Sequence, residues 1–310
     1  MEIHNILIVS PMHQELRAII EKEQLPNQFR YSSDAELNNG DLAWADALVT
    51  FNLNANLDYS HLKWVHSLGA GVDRFLYQKS WNDSVLLTRT ICSFGQRIAE
   101  YCLSYILKDI QFHEDFQKHQ ENRKWEQKTP GLLQDQSVLV FGTGEIGQTV
   151  ARILSSLGVK VFGASLSGKQ KSFFHEVFSS DDVFSRVGGM NFIINTMPLT
   201  EKTAHYFDSQ FFSHLTGAGF INVGRGASLD EMALLQAIEE HRVKFAVLDV
   251  LSQEPLPIDS PLWGHPNVYI TPHISALTTP VEGAACFIET LKKIEMDQHL
   301  KNIVDIHKGY

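Results

Sequence analysis

Short apolar runs recur along the chain, separated by stretches in which apolar positions return every three or four residues. Runs at 5–9, 47–51, 63–67 and 85–88 have the length of buried strands, as do later runs at 137–141, 159–162, 191–195, 219–223, 245–250 and 267–270. Helical periodicity is predicted at 11–23, 145–157, 230–240 and 280–300. The pair Ser10-Pro11 has the character of a cap followed by a first-turn proline. A single long helix is expected over 95–119, with Ile98, Tyr101, Cys102, Tyr105, Ile106 and Asp109 along one face. The polar stretch 121–134 contains Thr129-Pro130-Gly131 and is expected to be a loop. Strands alternating with helices predict parallel sheets covered by helices, and the alternation occurs twice, before and after this loop.

Composition narrows the class of molecule. A chain of 310 residues can hold two domains, and 44% hydrophobic with 20% charged residues suits a globular core. The net charge is -10, with acid and base interspersed, so a clustered basic surface for nucleic acid is excluded. An anionic small substrate is still compatible, because one arginine can bind a carboxylate. The three cysteines, Cys92, Cys102 and Cys286, form no CxxC and predict free thiols in a reducing compartment. The fourteen histidines show no zincin spacing, so no metal site is expected. No signal-like leader and no long apolar window is seen, which predicts a cytoplasmic protein without a membrane partner.

Gly142-Thr143-Gly144-Glu145-Ile146-Gly147 fits G-x-G-x-x-G directly after a predicted strand and at the start of a predicted helix. In that context Gly142 permits a tight turn, Gly144 lets backbone approach a pyrophosphate, and Gly147 lets helix and strand come close. The helix start adds free N–H groups and a positive dipole end. A dinucleotide site for NAD would carry Asp or Glu about 20 residues on, yet 161–169 holds no carboxylate. Ser165, Ser167 and Lys169 stand there instead, hydroxyls and a cation suited to a 2′-phosphate. NADP(H) is therefore expected over NAD(H), with NAD left open.

Three further segments carry charged residues at the C-terminal ends of predicted strands, the edge where open α/β sheets bind ligands. They are Val223-Gly224-Arg225-Gly226, Leu248-Asp249-Val250 running on to Glu254-Pro255, and Thr271-Pro272-His273. Together with the glycine turn, Asn195-Thr196-Met197-Pro198-Leu199-Thr200 and Ser67-Leu68-Gly69-Ala70-Gly71-Val72-Asp73, they resemble the D-isomer-specific 2-hydroxyacid dehydrogenase family over nearly the whole chain. The serine-rich loop at 165–169 makes the chain most like the glyoxylate/hydroxypyruvate reductase branch.

The resemblance implies roles. Arg225 would hold the substrate carboxylate and polarise the carbonyl. His273 would be the acid/base, with Glu254 fixing its tautomer. Leu68, Gly69, Ala70 and Gly71 would form the substrate loop, a nest of backbone N–H groups. Met197, Pro198, Val223, Gly224 and Asp249 would lie beside the cofactor. Trp44 and Trp125 could shape the pocket, although core or interface burial is the plainer expectation.

The expected architecture is two Rossmann-like α/β domains, doubly wound parallel sheets with a cleft between them. Residues 1–96, completed by 284–310, would form the substrate domain, and 97–283 an inserted dinucleotide-binding domain. The helix over 95–119 would serve as hinge and dimer element, the homodimer being implied by the family. Two alternatives stay open: a non-catalytic dinucleotide-sensing protein on this fold, and an NAD-linked phosphoglycerate- or lactate-type dehydrogenase.

Overall fold

The computed structural model describes residues 1–53 and 59–310 and divides into two compact units, Met1–Phe94 with Leu277–Tyr310, and Gly95–Ala276. The first contains β1 (Asn5–Val9), α1 (His13–Ile20), β2 (Gln28–Ser32), α2 (Asn39–Trp44), β3 (Ala47–Thr50), β4 (Trp64–Ser67), α3 (Asp73–Leu76) and β5 (Leu86–Arg89). Its strands lie in the order β2-β1-β3-β4-β5, all parallel. Along β1, Ile6 and Ile8 join Leu16 and Ile20 on one face, while Leu7 and Val9 join Leu42 and Phe75 on the other. A strand covered on both faces must be apolar throughout, which is why it reads as an unbroken run.

The helix α1 starts at His13 rather than at Pro11. Ser10 holds a turn there: its hydroxyl accepts from the Met12 N–H at 3.1 Å and its carbonyl from the His13 N–H at 3.1 Å. The strand β2 was not expected. It lies at the sheet edge, where exposed Gln28 and Arg30 alternate with half-buried Phe29 and Tyr31, so no apolar run marks it.

The second unit runs through α4 (Phe94–Ile110, its first residue counted with the first unit), α5 (His113–Glu121), β6 (Ser137–Phe141), α6 (Glu145–Ser156), β7 (Lys160–Ser165) and β8 (Glu176–Ser179). It continues with β9 (Phe192–Asn195), α7 (Ser209–Ser213), β10 (Ala218–Asn222), α8 (Glu231–Glu239), β11 (Val243–Leu248) and β12 (Val268–Ile270). The parallel sheet has the order β12-β11-β10-β9-β6-β7-β8, the doubly wound dinucleotide-binding order with one strand added. Leu139 and Phe141 face the layer of α7 and α8, and Val138 and Val140 face that of α4 and α6. The chain reverses its direction of travel across the sheet between β6 and β9, the point where such sheets bind ligands.

The single helix expected over 95–119 is two helices. Ile98, Ala99, Cys102, Ile106 and Ile110 form the buried face of α4, whereas α5 has no buried residue. Between them Phe112 adopts a left-handed backbone with φ 55°, and the Ile110 carbonyl accepts from the Gly131 N–H at 2.8 Å. The apolar stripe thus ends where the helix does.

The last helix, α9 (Pro280–Glu295), belongs to the first unit. A capping box of Thr279 and Glu282 starts it. Phe287 stacks on Trp64 with ring centroids 5.6 Å apart, and Ala284 and Leu291 join the β1 core. The second unit ends at Ala276, earlier than the expected 283, and Thr278 donates its hydroxyl proton to the Leu68 carbonyl at 2.7 Å within the first unit.

Candidate active site

The glycine turn lies between β6 and α6, and its three glycines have three different reasons. Gly142 has φ 93°, a conformation that side chains rarely adopt. A Cβ on Gly147 would lie 1.9 Å from the Gly142 carbonyl oxygen, so α6 approaches its own turn too closely for any other residue. Gly144 is exposed with ordinary φ of -75°, and a Cβ there would meet no protein atom within 4 Å. Neither backbone nor packing demands glycine at 144; it leaves open a cradle, at a helix N-terminus, that a side chain would fill. That combination fits a dinucleotide pyrophosphate. Thr143 is buried against Gly163, Ile146 packs into the core below, and Glu145 is exposed in the first turn of α6.

At the end of β7, Ser165 Oγ is shielded from water without a hydrogen-bond partner among the described residues. Leu166, Ser167 and Lys169 are exposed, and the Lys169 N–H donates to Ser167 Oγ at 3.4 Å. Gly168 has φ 61°, and a Cβ there would press on the backbone of Ser179.

Arg225 follows β10, and its flanking glycines lock the loop. A Cβ on Gly224 would come within 2.8 Å of the Met197 carbonyl oxygen, and one on Gly226 within 1.9 Å of the Leu251 carbonyl carbon. Three fully buried polar side chains brace the loop from beneath. Asn195 Nδ2 donates to Asn222 Oδ1 and to Ser228 Oγ, both at 2.9 Å. Asn222 in turn accepts from the Gly224 N–H at 3.2 Å, and Ser228 donates to the Arg225 carbonyl at 2.6 Å. Asn195 Oδ1 also accepts from the Met197 N–H at 2.9 Å, tying the Met197-Pro198 segment to the same network. Sequence reading missed Asn222 and Ser228; an asparagine ending a buried strand, as Asn195 and Asn222 do, was the available signal. Arg225 Nη1 donates to the Gly224 carbonyl at 2.7 Å.

Glu254 and His273 come together: Glu254 Oε2 lies 2.9 Å from His273 Nδ1, while Glu254 Oε1 accepts from the Leu251 N–H at 3.1 Å. With a carboxylate on Nδ1, that nitrogen carries the proton toward Glu254 and Nε2 is the atom left for chemistry. The His273 side chain is 42% accessible, enough to meet a solute. His273 has φ 55°, an uncommon backbone for a non-glycine residue. Its N–H donates to the Asp249 carbonyl at 2.9 Å.

Asp249, expected beside the cofactor, is buried, and its carboxylate is occupied by the histidine loop. Oδ1 accepts from the Thr271 hydroxyl at 2.6 Å and the Ile274 N–H at 2.8 Å, and Oδ2 from the Ser275 N–H at 2.9 Å. It directly follows β11, and these partners lie beyond the next strand, β12.

In the first unit, Leu68 is buried and Gly69, Ala70 and Gly71 are half-buried just after β4. Gly69 has no positive φ, and its N–H goes to Ser67 Oγ at 3.2 Å. Thr90 holds this loop by donating its N–H to the Ser67 carbonyl at 2.8 Å and to that of Gly69 at 3.2 Å. Trp44 is half-buried beneath Arg30, 4.2 Å from its ring, whereas Trp125 is 95% exposed instead of lying in a core. Among the described residues no helix is long and apolar enough to cross a membrane, and no group of three or more His, Cys, Asp or Glu could hold a metal.

Comparison with known proteins finds relatives over most of the chain. The profile of the D-isomer specific 2-hydroxyacid dehydrogenase NAD binding domain matches residues 103–275. Glyoxylate/hydroxypyruvate reductase A of Serratia proteamaculans (strain 568) is 34% identical over 256 residues, 80% of this chain and 82% of its own length. A solved D-isomer specific 2-hydroxyacid dehydrogenase from Xanthobacter autotrophicus Py2, in complex with NADPH and MES, is similar with TM-score 0.89 and 26% identity over 100% of both chains. An NADPH-dependent glyoxylate/hydroxypyruvate reductase from Sinorhizobium meliloti, in complex with NADP and sulfate, has TM-score 0.86 and 26% identity over 99% of this chain and 100% of its own.

Proposed function

The chain belongs to the D-isomer specific 2-hydroxyacid dehydrogenase family, and from that premise we propose that it reduces a small 2-keto acid, of the glyoxylate or hydroxypyruvate kind, to the D-2-hydroxy acid at the expense of NADPH. The observation that carries this reading is the Glu254–His273 contact of 2.9 Å, beside an arginine loop that rests on the backbone leading to Glu254.

Each side chain has a task in that reaction. The Arg225 guanidinium binds the substrate carboxylate and draws electron density from the keto oxygen. His273 donates a proton from Nε2 to that oxygen as it becomes an alkoxide, and takes it back in the reverse direction. Glu254 keeps the imidazole in the tautomer and orientation this transfer needs. In the first unit, the loop 68–71 is the further candidate for carboxylate binding.

The dinucleotide would be held by the turn Gly142 to Gly147 and by Met197, Pro198, Val223 and Gly224, and when bound it supplies the hydride. Ser165, Ser167 and Lys169 favour the 2′-phosphorylated form, since a phosphate gains hydrogen bonds and a cation there and meets no acid within 161–169. The names of the NADPH- and NADP-bound relatives support the same preference. A homodimer is part of the proposal on family grounds alone.

The test is a panel of short 2-keto acids, glyoxylate and hydroxypyruvate included, assayed with NADPH and NADH at equal concentrations. Turnover of a short 2-keto acid with NADPH preferred is expected. Equal or better use of NADH would overturn the cofactor assignment. Tight NADPH binding without turnover of any keto acid would make the protein a dinucleotide sensor.

A further inference from the structure

We propose that Tyr101 is a positioning residue for His273, acting through the hydroxyl of Thr271 and the carboxylate of Asp249; this rests on the reading of His273 as the acid/base. Tyr101 lies on α4 with its Oη 2.6 Å from Thr271 Oγ1, which is itself 2.6 Å from Asp249 Oδ1. A threonine hydroxyl has one proton, and an ionised carboxylate can only accept. Thr271 therefore donates to Asp249, and Tyr101 must donate to Thr271. The direction of the chain is fixed from the phenol to the carboxylate. Burial foremost holds the Tyr101 phenol above its ordinary pKa, with the charge of Asp249 adding to it, so the donor stays protonated.

What the chain holds is the backbone on both sides of His273. The His273 N–H bonds to the carbonyls of Asp249, at 2.9 Å, and Thr271, at 3.0 Å, and the next two N–H groups bond to the Asp249 carboxylate. A left-handed backbone at a histidine is strained and persists only where surrounding bonds over-determine it. Thr271 contributes twice, by its carbonyl and by its side chain, and Tyr101 fixes the side-chain rotamer. The phenol is itself well anchored. Its ring centroid lies 5.1 Å from that of Tyr105, which lies 5.8 Å from that of Tyr269 on β12, the strand that ends next to Thr271. Lys108 Nζ covers the Tyr269 ring at 3.7 Å.

The experiment compares Tyr101→Phe, Thr271→Val, Thr271→Ser and the double variant Tyr101→Phe/Thr271→Val in the full-length protein. Phenylalanine keeps the ring and its packing, so folding is preserved and only the hydroxyl is lost. Two readouts are taken: steady-state kinetics with NADPH and glyoxylate or hydroxypyruvate, and 15N–1H spectra of the histidine rings, with the His273 signal assigned by its loss in His273→Ala. Tyr101→Phe and Thr271→Val are each expected to lower kcat by about 5–50-fold with little change in NADPH affinity. The double variant should lose no more than the worse single one, and Thr271→Ser should recover most of the activity. The Nδ1–H resonance of His273 should move or broaden in step. An unmoved resonance with kcat within about twofold of wild type, losses that multiply in the double variant, or no recovery in Thr271→Ser would overturn the proposal. If His273→Ala kept its turnover, the acid/base reading would fall, and the resonance would still decide whether Tyr101 holds the ring.

Discussion

The carbonyl carbon of Leu251 lies 1.9 Å from where a Cβ on Gly226 would stand. The loop that carries Arg225 therefore rests on the backbone that leads to Glu254, with no side chain between them. Because Glu254 in turn meets His273 at 2.9 Å, this backbone contact links the arginine loop to the acid–histidine pair.

Gly226→Ala should consequently be far more harmful than an ordinary methyl insertion. The added carbon meets backbone, which cannot rotate away, so a loss of ~2–4 kcal/mol is expected. Denaturant unfolding measures it, and kcat should fall together with stability. A stable, fully active Gly226→Ala protein would show that the two loops do not depend on each other.

The glycine turn offers a contrast between two glycines three residues apart. Gly147→Ala drives a carbon into the Gly142 carbonyl and should destabilise the fold. Gly144→Ala meets no protein atom and should stay within ~0.5 kcal/mol of wild type. Its NADPH affinity, however, should fall by about tenfold or more, measured by fluorescence titration. Unchanged affinity in Gly144→Ala would remove the pyrophosphate from that cradle.

His273→Ala should lower kcat by about 10² to 10⁴-fold while leaving NADPH binding nearly intact. Arg225→Lys keeps the charge but loses the planar fork, so a higher KM for the keto acid together with a lower kcat is expected. Steady-state kinetics separates the two. Wild-type turnover in His273→Ala would take the residue out of the mechanism.

Stability should fall in acid in two steps, whose windows overlap between about pH 3 and 3.8. His66 is wholly buried in the first unit between Thr88 and Thr90, and burial lowers its pKa from 6.5 to about 3. The unfolded chain then binds the extra proton first, so stability is lost as pH falls from 6.5 toward 3, by up to ~5 kcal/mol at full development. Burial would raise the Asp46 carboxyl, but bonds from Lys63 and from the N–H groups of Asn5 and His4 outweigh it and bring the pKa from 3.8 to about 2. Its contribution is present above 3.8 and is lost only as pH falls toward 2. Urea unfolding across this pH range should therefore steepen first in the upper window, and His66→Gln should flatten that window without touching the lower one.

Much of the fold and of the site is legible in the amino-acid sequence. Buried parallel strands must be apolar on both faces, so β1, β6 and β9 announce themselves as local runs. The G-x-G-x-x-G turn and the charged residues after β10, β11 and β12 are likewise local patterns at strand ends. Glu254 and His273 were named from sequence, and they do meet. What the chain pattern could not reveal depends on neighbours far away in sequence. The edge strands β2 and β8 exist because a core strand beside each supplies the hydrogen bonds, and their own residues carry little apolar signal. The helix break at Phe112 depends on Gly131, whose N–H takes up the Ile110 carbonyl. Nothing local to Asp249 reveals that Thr271, Ile274 and Ser275 all donate to its carboxylate. Periodicity records which side of an element is covered; only the tertiary fold decides which polar atoms find each other there, because a hydrogen bond is specified by distance in space and leaves no period in the chain.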